Sequence, residues 1–397
     1  MGLTTLQGQS ETVRVATVGE YRGATTAARF GDPRAELTSL RNRCGVYDLG
    51  YRAKILLTGR DRVRWLNGMV TNNIRDLQPG HGVYTFLLNP QGHILGDLYA
   101  YNRGESIFVD TDRSQLENIL ATFDHYIIMD DVEVKSLTSP DEGVPGPTSL
   151  NGSTIHEAAA DASSAAELTA LGIAGPQSRS ILAAAGIQIP DVQPLQVFEA
   201  KCTCDCDCVS CSVVRSDDAV IDSYELWLTP KDVKKTWDAV IVHGAAPVGS
   251  DALELHRIVS GIPRFGVDIR ERDLPQETEQ GRALNFKKGC YIGQEIVERI
   301  RSRGAVHRKF TGFIVDGDPA ILPGSKIIAG EKEVGEATSV ASPYRQKTVV
   351  LGYVRREVAT LGREMTIGTA KAKVVSLPVE VALLAHDENA SERHLAS

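Results

Sequence analysis

The chain has 397 residues, of which 42% are hydrophobic, 24% charged and 6% aromatic, and 43 Lys and Arg against 51 Asp and Glu leave a formal charge of −8. A length near 400 suggests roughly two to three domains, each able to bury a core without disulfide or metal staples. The acidic balance excludes a protein whose whole surface is a nucleic-acid or anionic-membrane patch, because such surfaces carry excess positive charge, and it leaves room for a local basic site. No stretch approaches the roughly 20 apolar residues of a membrane span, and the N-terminus has no apolar run between a basic start and a cleavage site, so the expected location is the cytoplasm with no membrane partner.

Residues 1–27 read as a flexible N-terminal arm, with order expected from near Arg29. A first α+β unit is expected over 28–135. Its apolar strand Lys54–Thr58 runs into Gly59-Arg60-Asp61, whose Asp can cap a helix with Val63, Leu66, Met69 and Val70 on one side. Strands Val83–Asn89 and His93–Tyr101 flank the turn Pro90-Gln91-Gly92, a hairpin signal. A strand at Ser106–Asp110 precedes a helix from Arg113 to Tyr126, where Leu116, Ile119, Leu120 and Phe123 share a face, and a strand follows around Val132–Val134. Residues 136–166, rich in Ser, Gly, Pro and Ala without apolar period, read as a linker or insertion.

The pattern then recurs over 167–308. Leu168–Ala174, the Gly175 turn and a helix to Ala185 mimic the elements around Gly59, and Glu225–Leu228 with the helix Asp232–His243 mimics the strand and helix from Ile107. Two antiparallel α+β units of similar layout are the economical reading. From 309 to 385, short apolar runs separated by Gly- and Pro-containing turns have the look of a small β-barrel, and 386–397 form a polar tail expected to be mobile.

The densest chemical candidate is Lys287-Lys288-Gly289-Cys290-Tyr291-Ile292-Gly293-Gln294-Glu295. Glycines around a cysteine let the backbone approach a ligand, adjacent lysines favour a thiolate, and Gln294 with Glu295 supplies the donors and acceptors that read a heteroaromatic edge. From Lys287 to Lys309 there are seven basic and two acidic residues, a local excess suited to a polycarboxylate or phosphate and equally to a solvated helix face. A second candidate is Asp97, with Tyr84 across the hairpin: its face also carries Leu95, Tyr99 and Tyr101, so the carboxylate could be partly desolvated and exchange a proton with a ring nitrogen. From the residues alone, a hairpin carboxylate satisfied by a turn or an arginine is the simpler reading of Asp97.

Of seven cysteines, five lie between Cys202 and Cys211. On a strand, cysteines at i and i+2 stand about 6.6 Å apart, whereas two sulfurs on one zinc must lie within about 4 Å. Small side chains packed on a sheet face are therefore favoured, and no metal ligands are assigned. There is no G-x-x-x-x-G-K-[ST], G-x-G-x-x-G after a strand, H-E-x-x-H or G-x-S-x-G, so the P-loop, Rossmann, zincin and hydrolase classes have no support.

The block from Lys288 to Glu295 resembles the signature K-G-C-Y-x-G-Q-E of the YgfZ family, folate-binding relatives of the glycine-cleavage T-protein. Arg257 through Gly266, Asp268, Pro275 and Glu277, the run Cys44 to Leu49 with Thr58 to Asp61, and Leu351 to Val354 with Val374 to Pro378 extend the resemblance over residues 28–378. It implies a three-domain cloverleaf, two ferredoxin-like antiparallel α+β units and a β-barrel, around a central channel that holds tetrahydrofolate. Tyr84 and Asp97 match the family's hairpin tyrosine and the aspartate that touches the folate ring nitrogens; where the transferases have a first adjacent acid, this chain has Gly96. Against the transferase run R-T-G-Y-T-G-E-x-G-x-E the chain keeps only the ends, Arg215 and Glu225, so the pterin-binding glutamate is missing or replaced by Asp222. The implied folate-binding set is Tyr84, Asp97, Arg215, Lys288, Tyr291, Gln294 and Glu295, with Cys290 and Asp97 in the catalytic role. The implied function is a folate-dependent accessory of iron–sulfur cluster assembly or repair, partnered by iron–sulfur enzymes or assembly proteins and linked to tRNA modification without direct RNA binding. The alternative is an aminomethyltransferase passing a methylene group to tetrahydrofolate.

Overall fold

The computed structural model describes residues 15–138, 167–201, 209–304, 306–344 and 346–379. The start of the N-terminal arm, most of the expected linker, Cys202, Cys204, Cys206 and Cys208, and the C-terminal tail lie outside the described residues. The chain divides into two compact units. The first takes in the described residues up to Trp65, Ile74–Val83 and those from Leu98 to Ala252; the second takes in Leu66–Asn73, Tyr84–Asp97 and the described residues from Leu253 onward.

In the first unit, strands β1 (Thr17–Tyr21) and β2 (Ala24–Arg29) pair antiparallel ahead of Arg29, where the sequence suggested that order would begin. Buried Tyr21, Ala24 and Ala27 explain the early start. Helix α1 (Pro33–Asn42) begins with proline in its first turn, and the Asp32 side chain accepts a hydrogen bond from the Arg34 N–H. Strand β3 (Gly45–Asp48) and strand β4 (Arg52–Thr58) follow, then helix α2 (Arg62–Met69). Strands β5 (His81–Leu88) and β6 (Ile94–Asn102), whose residues 84–88 and 94–97 belong to the second unit, β7 (Ile107–Asp112), helix α3 (Arg113–Tyr126) and strand β8 (Glu133–Ser136) come next in the chain. The α3 bounds coincide with those read from its apolar spacing, and Ile119 and Phe123 are fully buried.

The pattern then repeats with strand β9 (Thr169–Ala174), helix α4 (Ser178–Ala184), strands β10 (Val197–Lys201), β11 (Ser210–Arg215) and β12 (Ser223–Leu228), helix α5 (Pro230–Val242), the short strand β13 (Ala246–Pro247) and helix α6 (Ser250–Val259). One sheet has the order β5-β6-β7-β4-β8 and the other β10-β11-β12-β9-β3-β13. Each contains the same motif: two strands that bear a helix at their C-terminal ends lie side by side, β4 beside β7 and β9 beside β12. The internal repeat expected from the sequence is therefore real. One strand departs from the expected division of the chain: β3 pairs with β9 through Val46↔Ile173 and Tyr47↔Gly172, in the second sheet. The core of that sheet packs Leu171, Ile173, Val213, Leu226 and Leu228 against Val233, Trp237 and Val240, which share one face of α5. Each such side chain contributes on the order of 1.5–3 kcal/mol on burial.

In the second unit, helix α7 (Gln294–Arg303) precedes strands β14 (Arg308–Asp316), β15 (Lys326–Ala329), β16 (Lys332–Tyr344), β17 (Lys347–Arg355), β18 (Glu364–Ile367) and β19 (Ala370–Val375). These close into a barrel of order β14-β17-β16-β15-β18-β19, sealed by Gly312↔Val375 and Phe313↔Val374. Closure removes open edges, and Phe313, Val350, Val354, Ile367 and Val374 fill the interior. The expected α+β class with a C-terminal β-barrel is thus what the chain adopts. Among the described residues no helix is long and apolar enough to cross a membrane.

Candidate functional site

The second unit contains the tip of the β5–β6 hairpin. Asn89 N–H donates to the His93 carbonyl at 3.0 Å and Gly92 N–H to the Asn89 carbonyl at 2.9 Å, closing the turn that Pro90-Gln91-Gly92 suggested. This sets Tyr84 on β5 against Asp97 on β6, and the phenol donates to the carboxylate Oδ2 at 2.7 Å. Tyr84 is buried while Asp97 is half-buried, so the carboxylate is both held and reachable. Asp97 is thus bonded to the tyrosine across the hairpin. The Tyr84 ring meets Phe86 edge-on at 5.6 Å, and the Arg282 guanidinium lies 4.4 Å from the ring centroid.

The signature loop is fastened to the end of α2. Asn285 Oδ1 accepts from the N–H groups of Lys287 and Lys288 at 2.9 and 3.1 Å. The Lys288 ammonium then donates to the carbonyls of Asn67, Val70 and Asn72 at 2.6, 2.6 and 2.7 Å. Carbonyls at a helix C-terminus lack intrahelical partners and carry partial negative charge, so a lysine is well matched to them. Lys288, expected among the ligand-binding residues, has its three protons on main-chain oxygens. It also stands 5.0 Å from the Tyr291 ring centroid.

Gly293 begins α7 with φ of 79°, and a Cβ built there would sit 2.5 Å from the Asn89 carbonyl oxygen. Gly293→Ala is expected to cost about 1–2 kcal/mol from the left-handed backbone alone, with more from the clash. A clear fall in the calorimetric unfolding temperature would confirm this, and an unchanged one would contradict it. Beyond the glycine, Gln294 Oε1 accepts from the Tyr291 N–H at 3.1 Å, and burial followed by the charge of Glu298 pushes the Tyr291 hydroxyl up to about 12. Cys290 is exposed, with the Gln294 amide nitrogen 4.0 Å from its sulfur. Glu295 is also exposed and pairs with Arg299 at 2.7 Å along the helix.

Arg215 lies in the first unit, where it donates to the Val192 carbonyl at 2.6 Å and to Asp222 at 2.9 Å. Asp222, the suggested stand-in for a pterin-binding glutamate, is therefore in an ion pair. Tyr99, grouped with Asp97 by alternation, is likewise in the first unit and donates to Asp217 at 3.1 Å.

The first unit also holds a buried ionic cluster that motif reading passed over. Lys54, with no exposed surface, donates to Asp110 at 2.6 Å, stands 4.0 Å from Glu225 and lies 4.8 Å from the Trp227 ring centroid. Arg52 bridges Asp110 at 2.8 Å and Asp112 at 2.6 Å, and Arg22 reaches Asp112 at 3.0 Å. Desolvation alone would raise Asp112, but the charges of Arg22 and Arg52 overturn it and hold the carboxyl below its usual range. At Glu225 desolvation and then the charge of Asp110 win over Lys54 and Arg52, and its pKa is raised. The available signal was charge at alternate positions: Arg52 and Lys54 on β4 face Asp112 and Asp110 on β7 in register. Asn72 and Arg282, beside Tyr84, were also passed over, and their signal was weaker, an Asn pair just past α2 and an isolated arginine. Cys44 and Cys211 are buried, and among the described residues no three His, Cys, Asp or Glu side chains gather as a metal site.

Comparison with known proteins agrees with this architecture. Residues 12–152 and 153–288 match the GCVT N-terminal domain, and 308–383 match the glycine cleavage T-protein C-terminal barrel domain. The chain belongs to the glycine cleavage T-protein family. It is 24% identical over 371 residues to an aminomethyltransferase of Geobacillus kaustophilus, covering 90% of this chain and 93% of the relative. It is 26% identical over 360 residues to an aminomethyltransferase of Streptomyces coelicolor, covering 88% of each. The crystal structure of the glycine cleavage system aminomethyltransferase T from Bartonella henselae has the same fold, with a TM-score of 0.80 at 19% identity over 95% of this chain and 97% of that one. These relatives, matched along nearly their whole length, overturn the iron–sulfur assembly role that the eight-residue signature suggested, and nothing in them supports iron–sulfur partners.

Proposed function

We propose that the protein is an aminomethyltransferase that uses tetrahydrofolate as acceptor. The observation that carries the reading is the Tyr84–Asp97 pair, a half-buried carboxylate held at 2.7 Å by a buried phenol, in a chain of this family. The residues present suit a folate: Asp97 is an acceptor for ring N–H groups, Tyr84 and Tyr291 offer aromatic surface, and Gln294 brings an amide with both donor and acceptor. When bound, the folate supplies the ring nitrogens that accept the one-carbon unit. The overall change takes an aminomethyl group from a lipoyl sulfur, gives methylene-tetrahydrofolate, and releases ammonia and the free dihydrolipoyl thiol. Within it, Asp97 takes a proton from a ring nitrogen or stabilises positive charge on it, and the Tyr84 hydroxyl fixes the orientation of that carboxylate. Lys288 acts at one remove, fastening the loop that carries Cys290, Tyr291 and Gln294. Cys290 presents its exposed thiol from that loop as a further group of the proposed site.

The test is ammonia release from aminomethylated, lipoylated carrier protein with and without tetrahydrofolate, together with calorimetric titration of the folate. Folate-dependent ammonia release and saturable binding are expected. Absence of binding at millimolar folate would remove the reading.

A further inference from the structure

Arg282 is exposed, yet its surroundings are built. Its guanidinium carbon lies 4.4 Å from the Tyr84 ring centroid. Its Nε donates to Gln280 Oε1 at 3.2 Å, which limits where the head can swing. Its backbone is fixed more firmly still. The Asn72 amide nitrogen donates to the Tyr84 carbonyl at 2.9 Å and to the Arg282 carbonyl at 2.8 Å, so one side chain ties both residues together. The next residue, Ala283, is fully buried, and its carbonyl accepts from Thr71 Oγ1 at 2.6 Å. A solvated arginine needs none of this. The arrangement fixes a cation over one face of the ring whose hydroxyl donates to Asp97.

We propose that Arg282 is a positioning residue that acts through Tyr84. The cation over the ring draws on its π density and strengthens the phenol as a donor, and the guanidinium, 4.4 Å from the centroid, hinders the swing of the ring that would take the hydroxyl away from Asp97. Asp97 is thereby presented in one orientation. The inference rests on the transferase reading for its effect on turnover, and it also has a consequence that needs no ligand.

The test compares wild type, Arg282→Met and Arg282→Lys. In the transfer assay, Arg282→Met is expected to lower kcat about three- to fivefold with KM for tetrahydrofolate unchanged, as loss of an exposed cation–π contact implies, and Arg282→Lys to recover most of the loss. In ligand-free protein, the Raman tyrosine doublet, with the Tyr84→Phe spectrum subtracted to isolate Tyr84, should lose its strong-donor character in Arg282→Met and retain it in Arg282→Lys. Thermal unfolding of each variant should stay at the wild-type value, because the side chain is exposed. A rise in KM with kcat unchanged would assign Arg282 to the ligand and overturn the positioning role, and an unchanged Raman doublet would overturn it too. If wild type neither binds folate nor turns over, the transferase reading fails, and the ligand-free spectra still decide whether Arg282 acts on Tyr84.

Discussion

Asp97→Asn is expected to lower folate-dependent ammonia release about 10²–10⁴-fold, the range for removing a positioned acid–base group, while leaving the protein folded. Asn has nearly the shape of Asp, and its amide oxygen can still accept the Tyr84 hydroxyl that now sits 2.7 Å from the carboxylate. The hairpin is therefore retained. What the variant lacks is the negative charge and the capacity to take a proton, so the loss should fall on kcat more than on folate affinity. Tyr84 remains buried, and the unfolding temperature should not move appreciably. The measurement is kcat and KM in the carrier-protein assay, with folate titration alongside. Turnover within threefold of wild type would show that the carboxylate is a structural partner of Tyr84 and nothing more. A loss confined to binding would make Asp97 a contact for the pterin without a part in the transfer.

Local features of this chain were legible and distant ones were not. Helix α3 could be placed from its apolar spacing, because Ile119 and Phe123 share a face that packs into the core. The Tyr84–Asp97 pairing followed from two alternating strands and a Pro-Gln-Gly turn, and the phenol bonds the carboxylate at 2.7 Å. By contrast, β3 pairs with a strand more than 120 residues later, Asp48 with Leu171, and no local pattern records such a partner. Lys288 is the same problem at the scale of one side chain. A lysine beside glycines and a cysteine suggests an anion site, but its partners are the carbonyls at the end of α2, and where they point is decided by tertiary packing. The function reading failed in a related way. An eight-residue signature and the missing glutamate between Arg215 and Glu225 pointed to one branch of the family, whereas relatedness spread over nine-tenths of the chain points to the transferases.

The buried cluster yields the largest expected effect on stability. Lys54→Met keeps most of the side-chain volume and removes the charge, so the loss is electrostatic and not a cavity. Asp110, fully buried, keeps Arg52 at 2.8 Å but loses its bond of 2.6 Å to the ammonium. Glu225 loses the ammonium 4.0 Å away that helps hold down a carboxyl that desolvation and Asp110 already push up, so its neutral form gains further. Removing one partner of a buried pair typically costs about 3–5 kcal/mol; with Arg52 remaining, about 3 kcal/mol is expected. All three tryptophans, Trp65, Trp227 and Trp237, belong to the first unit, so urea unfolding followed by tryptophan fluorescence reads that unit. The loss of the Lys54–Trp227 contact at 4.8 Å should also change the native emission. Adding Asp110→Asn to Lys54→Met tests the electrostatic origin, because the second change then removes an undercompensated charge. The double variant should be less destabilised than the sum of the single ones by about 1–3 kcal/mol. Strict additivity would mean that the ammonium and the carboxylate do not act as a pair, and that Lys54 stabilises the sheet through the packing of its methylenes alone.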